Sequence, residues 1–293
     1  MQKSSKASRA EECQQSGVRG ASRSLILLLL AALTAPGVLA PARAAPSPLL
    51  PEAVAKAGKI TFCSFIDLPP VEFMDPSSKP IGSDIDLANG IASRLGVTAE
   101  YNNMPFAGLI PALLAGHCDA IISQLFIKPP REKVINFIPY MYSHEVLLLR
   151  AGTTGINSLE DLSGKKVAAV TGTTATNLLE EENTELKAAA KTPIDMIMFP
   201  QNTAALQQLQ FGEVEAYGVA FEAAAYYAHT EPKLFMTGGE PYYKILTGIG
   251  LRKDETQLQA AMAKAFDDMR KDGSYHDILV KWAITQDELP KDQ

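Results

Sequence analysis

The chain has 293 residues, 46% of them hydrophobic, and a formal net charge of −6. That length and composition can fill one or two ordinary cores and exclude a disordered or fibrous chain. The acidic balance, with no basic run interleaved with aromatics and no basic amphipathic helix, argues against nucleic acid or a membrane surface as partner.

Arg19 and Arg23 precede the apolar run 25–33, and small residues follow at Ala40, Ala42, Ala44 and Ala45. This layout predicts a signal peptide over 1–44, cut after Ala44, because the run falls short of the roughly 20 residues that a membrane span needs. Removing it takes away six basic residues and two acidic ones, so the net charge of −6 becomes −10. Cys13 lies before the apolar run and so is not a lipid-attachment cysteine. A free periplasmic protein is expected.

Beyond the leader, the extended arm 41–51 is rich in proline and alanine. A strand is predicted over 60–65, a helix over 84–95 stopped by Gly96, a strand over 120–123 and an apolar run over 146–149. Strands over 166–170 and 194–199 flank a helix that begins near Thr174. A long helix over 255–271 places Leu258, Met262, Ala265 and Met269 on one face and ends at Gly273. Cys63 and Cys118 are too few for a disulfide framework, and two buried free thiols are the simpler expectation; a bridge would need Cα atoms within about 7 Å. His117, His144, His229 and His276 lack metal-ligand spacing, and no nucleophile-elbow, phosphate-loop or paired-cysteine motif occurs. No metal, no cofactor and no catalytic residue are therefore expected.

The segment 106–142 carries the most information, because its first half recurs. Ile110, Leu113, Gly116, Asp119 and Ala120 have counterparts at equal spacing in Leu206, Leu209, Gly212, Glu215 and Ala216. Each copy reads as a helix with a core-facing stripe, a glycine in the left-handed cap, and an acidic residue opening a short buried strand. Such strands normally lie parallel, and ligands gather beyond their carboxyl ends. The residues after each strand are thus the candidates.

The motifs GSDIDLA (82–88), FAGLIPALLAG (106–116), KPPREKVINFIPYMY (128–142), LEDLSGKKVAAVTGTT (159–174) and RKDGSYHDILVKW (270–282) occur in one order. From about 59 to 282 the chain resembles the family 3 solute-binding proteins of ABC importers, the amino-acid-binding type. The resemblance implies an α/β, two-lobed periplasmic-binding-protein fold of type II, each lobe a mixed sheet flanked by helices. Two crossing strands, near 142–145 and 242–245, would form the hinge. Lobe one would be 45–142 plus 246–293 and lobe two 143–245. The expected protein is a monomer that closes on a small carboxylate-bearing solute and delivers it to a permease in the inner membrane. Closure would supply the signal, since a ligand held by both lobes shifts the open and closed populations.

Site residues follow from the matched motifs. Arg131 stands where family members pair with the ligand carboxylate, a task suited to a guanidinium fork; a first-turn helix residue paired with Glu132 is the plainer alternative. Phe106 matches an aromatic pocket wall, and Phe65 offers another ring. Gln124, Phe126 and Lys128 flank the expected carboxylate site. Thr173 and Thr174 follow Gly172 at a strand-to-helix turn whose free amides could hold an anion or simply cap the helix.

Departures from the family pattern also matter. Lys128 replaces a threonine, Phe126 a small polar residue and Leu68 a tyrosine. The aspartate that anchors an α-ammonium group falls on Ala220. A buried ammonium without a partner is costly, so either the solute is an organic acid or modified amino acid, or Glu222 or Glu145 replaces the missing carboxylate. Two other classes are weighed: a periplasmic accessory or sensory binding protein, and a cyclohexadienyl-dehydratase-like enzyme with Glu145 or His144 as acid or base.

Overall fold

The repeated segment folds the same way twice. In the computed structural model, which describes residues 45–290, helix, left-handed glycine and strand follow one another in both copies. The elements before the first copy are α1 (Glu52–Ala57), β1 (Lys59–Ser64), β2 (Phe73–Met74), β3 (Pro80–Ile81), α2 (Ser83–Arg94) and β4 (Thr98–Asn103). The first copy then comprises α3 (Leu109–Leu114), Gly116 at φ 76° and β5 (Ala120–Ile121), with Leu113 fully buried. Next come α4 (Pro129–Glu132), β6 (Ile135–Arg150), β7 (Lys166–Val170), α5 (Thr174–Ala188) and β8 (Asp195–Phe199). The second copy is α6 (Asn202–Phe211), Gly212 at φ 78° and β9 (Ala216–Ala220), with Leu209 fully buried. The chain ends with α7 (Phe221–Thr230), β10 (Phe235–Arg252), α8 (Thr256–Asp272) and α9 (Ser274–Lys281).

The strands run in the order β4-β1-β5-β10-β6-β9-β7-β8. In one half β1 lies parallel to β4 and β5; in the other β7 lies parallel to β8 and β9. The antiparallel pair β6 and β10 runs through both halves, with register shifts around Tyr242 and Ile245. This is the two-lobed α/β architecture with a mixed sheet. One core packs α2, α8 and α9 against the first half through Leu87, Ile91, Met262 and Tyr275. A second, with Leu147, Val167 and Leu179, serves the other half. A third spans both halves, joining Leu109 and Leu113 to Val146, Val170, Leu209 and Tyr217. The face of the long helix expected over 255–271 is buried, since Leu258, Met262, Ala265 and Met269 are at most 3% exposed. Its left-handed Gly273 ends it.

One expectation is corrected. Cys63 and Cys118 are not free thiols but a disulfide, with Cα atoms 5.6 Å apart. Parallel pairing of β1 with β5 brings the end of β1 beside the turn that leads into β5, so residues 55 apart in sequence meet within bridging distance. The leader expected over 1–44 lies outside the described residues. Among the described residues, no helix is long and apolar enough to cross a membrane.

Candidate functional site

The carboxyl ends of β1 and β5 in one half, and of β7 and β9 in the other, surround a cavity of about 50 Å³. Eight of the ten predicted site residues line it: Phe65, Phe106, Gln124, Phe126, Arg131, Glu145, Thr173 and Thr174. Lys128 and Glu222 do not. The Lys128 ammonium donates to Asn177 Oδ1 at 2.7 Å and borders a separate outer crevice between α4 and α5. The Glu222 carboxylate is turned inward, where its Oε2 accepts from Gln124 Nε2 at 2.6 Å and from Ser143 Oγ at 2.8 Å.

Arg131 opens the second half of a single helical turn after two prolines, and its side chain is buried. Its Nη1 donates to the Phe126 carbonyl at 2.9 Å and its Nη2 to the Gly172 carbonyl at 3.2 Å. These bonds use two of the five N–H donors that a guanidinium carries. Among the described residues, no carboxylate lies within ion-pair distance of it. Burial lowers its pKa to about 10, and it remains charged at neutral pH. The Phe106 ring lies under it, 5.4 Å from Cζ to centroid, and meets Phe65 edge-on. The contact joins cation to π-face where water is scarce.

Gln124 adopts φ 42°, and its backbone N–H donates to Asp84 Oδ2 at 2.8 Å. The turn is therefore held from below by a buried acid. Thr173 is the N-cap of α5, its hydroxyl accepting from Thr176 N–H, so capping accounts for that residue even as it lines the cavity.

Glu145 occupies a position the local sequence did not reveal. It stands directly opposite Ala220 in the antiparallel register of β6 and β9. The methyl group at 220 therefore leaves the neighbouring strand's carboxyl to face the cavity. Glu145 faces the first turn of α5, and its Oε2 is buried without a hydrogen-bond partner. Burial first, then the neighbouring Glu222 charge, raises the Glu145 pKa to about 8.

Three further polar lining residues, Glu72, Asn202 and Tyr217, were not among the sequence candidates. Glu72 accepts from Ser123 Oγ at 2.9 Å, and burial together with Asp84 raises its pKa well above the carboxylate range. Its signal was an acid inside the otherwise apolar stretch 68–73. Asn202 opens α6 directly after β8, as Thr174 opens α5 after β7, so the strand-end rule applied to β8 would have found it. Tyr217 projects from β9 and donates its hydroxyl to Asn202 Oδ1. With Leu68, Val170 and Val219 it completes an apolar wall.

Residues 60–285 match the bacterial extracellular solute-binding proteins, family 3. The chain belongs to this family. The histidine-binding periplasmic protein of Escherichia coli K12 is 30% identical over 221 residues, covering 73% of this chain and 83% of that protein. Among solved structures, an ancestral arginine-binding protein bound to arginine is 33% identical with a TM-score of 0.72, covering 77% of this chain and 98% of that one. An ancestral amino-acid-binding protein described as a precursor of cyclohexadienyl dehydratase is 29% identical with a TM-score of 0.72, covering 78% and 97%. The family members are mainly periplasmic amino-acid-binding proteins of ABC transporters.

Proposed function

We propose that this protein captures a small carboxylate-bearing solute of the amino-acid type in the periplasm, as a monomer, and hands it to an ABC importer. The observation that carries the reading is Arg131: a buried, charged guanidinium on the cavity wall, stacked on Phe106, with donors remaining after its two backbone bonds. A carboxylate is the guest that uses such a fork in a paired fashion. Glu145 supports an amine on the same guest, because its Oε2 has no hydrogen-bond donor in the protein. It thereby takes the part expected of an aspartate at 220, and the organic-acid alternative becomes the less favoured chemistry. The names of the relatives, which bind arginine or histidine, fit a guest bearing both charges.

Native mass spectrometry of freshly purified protein, followed by calorimetry with the twenty amino acids and a panel of simple carboxylic acids, tests this. Amino acids or amino-acid derivatives are expected to bind; exclusive binding of amine-free acids would overturn the role given to Glu145. Glu145 also supports a second reading, since a cavity carboxyl that stays protonated to about pH 8 is equipped to donate a proton. Incubation with prephenate-like cyclic acids separates the two, product formation marking an enzyme.

A further inference from the structure

The cavity is not the only place where the two halves meet. Asp67, in the loop after β1, does not line the cavity, yet it reaches the start of α6 in the other half. Its Oδ2 accepts from Thr203 N–H at 3.1 Å and Thr203 Oγ1 at 3.3 Å, and its backbone carbonyl accepts from Asn202 Nδ2 at 3.0 Å. The first N–H groups of a helix have no partner inside the helix and are normally satisfied by the residue just before it. In α6 that residue is Gln201, whose side chain makes no capping bond. The cap of a ten-residue helix in one half is thus contributed by a carboxylate from the opposite half.

We propose that Asp67 is a positioning residue for closure: it caps α6 across the cleft, holds the two halves together, and so prolongs the stay of a bound solute without touching it. The inference rests on the two-lobed binding reading and adds to it a control point outside the cavity. Separating the halves removes the cap and leaves the first turn of α6 to water. A cap of this kind corresponds to roughly a tenfold bias between two states. Two of the three bonds end on the carboxyl oxygen Oδ2, so the cap needs an acceptor at that place. Asparagine, an equally good cap, retains the acceptor and drops the charge.

Small-angle X-ray scattering of the solute-free protein compares wild type, Asp67→Ala and Asp67→Asn, with melting temperature as the folding control. Asp67→Ala is expected to lower the closed-to-open ratio about tenfold and enlarge the radius of gyration, while Asp67→Asn scatters like wild type. With L-arginine or L-histidine as probe, stopped-flow dissociation should be about tenfold faster for the alanine variant alone. Identical scattering of Asp67→Ala and wild type, or an asparagine variant as open as the alanine one, overturns the proposal. The scattering arm uses no solute, so failure of either amino acid to bind would count against the proposed ligand class and leave the closure result standing.

Discussion

The two halves of the molecule share their supporting parts and differ in what they present to the cavity. In the first, Asp119 Oδ2 accepts from Thr61 N–H at 2.8 Å, and Arg252 at the end of β10 donates to the Leu113 and Cys118 carbonyls. In the second, Glu215 Oε2 accepts from Lys166 N–H at 2.8 Å, and Arg150 at the end of β6 donates to the Leu209 and Val214 carbonyls. Position for position, an acid pins the start of a strand and an arginine from a long central strand binds the end of a helix. Beyond the strands the likeness ends. After β5 comes a turn leading to a cation, Arg131; β9 instead ends in Ala220, and the carboxyl beside it is borrowed from β6. The repeated residues are those that fix strands and helix ends, and the divergent ones line the cavity.

Replacing Arg131 tests the divergent part most severely. Arg131→Ala should cost about 3–5 kcal/mol of solute binding, two to four decades in Kd, because a buried carboxylate would lose its partner. Calorimetry reads the loss, and unchanged affinity in a folded variant would remove Arg131 from the site. The next largest effect concerns the disulfide, which has no counterpart in the second half: Val214 stands where the repeat has Cys118, and Ala168 follows Lys166 as Cys63 follows Thr61. The double variant Cys63→Ala, Cys118→Val therefore copies one half onto the other. It should lower unfolding stability by about 2–4 kcal/mol in chemical denaturation, through the loop that the bridge closes.

How much of this was legible in sequence follows the same division. The helix-glycine-strand repeat, β7, and the buried face of α8 depend on local periodicity and on left-handed glycines, and those signals are written in adjacent residues. The disulfide was not legible, because nothing in a spacing of 55 residues reports that β1 and β5 pair in parallel. Nor was the place of Glu145, since the alignment of 145 with 220 is set by the register of two strands far apart in the chain. Asp67 was hidden for the same reason. Its partners lie 135 and 136 residues away in the chain, in the other half of the sheet.

A smaller effect probes the shared scaffold. Gly116 and Gly212 hold φ near 76° and 78°, so alanine at either should destabilise by about 1–2 kcal/mol through the left-handed backbone. The two sites should not respond equally. A Cβ at 116 meets nothing within 4 Å, whereas one at 212 lies 3.4 Å from the Arg150 guanidinium that binds the end of α6. Gly212→Ala is expected to be the costlier by a few tenths of a kcal/mol in matched denaturation curves; a larger loss at 116 would break the equivalence of the two copies.

The smallest effect decides what the borrowed carboxyl does. With its pKa at about 8, Glu145 holds a proton in the free protein at pH 7. An ammonium group in the cavity favours the ionised form, so binding would expel that proton, and linkage then requires affinity to rise with pH until the free carboxyl has titrated. Between pH 7 and pH 8 the expected gain is about fivefold, about 1 kcal/mol, with a plateau above. Glu145→Gln should flatten the profile. An amine-free carboxylate gives the opposite sign, because ionising Glu145 beside it adds like charge and weakens binding over the same interval. Calorimetry across pH 6–9 in buffers of different ionisation enthalpy reads both the slope and the released proton. A falling affinity that Glu145→Gln abolishes would assign the cavity to an organic acid, with Arg131 its sole charged anchor.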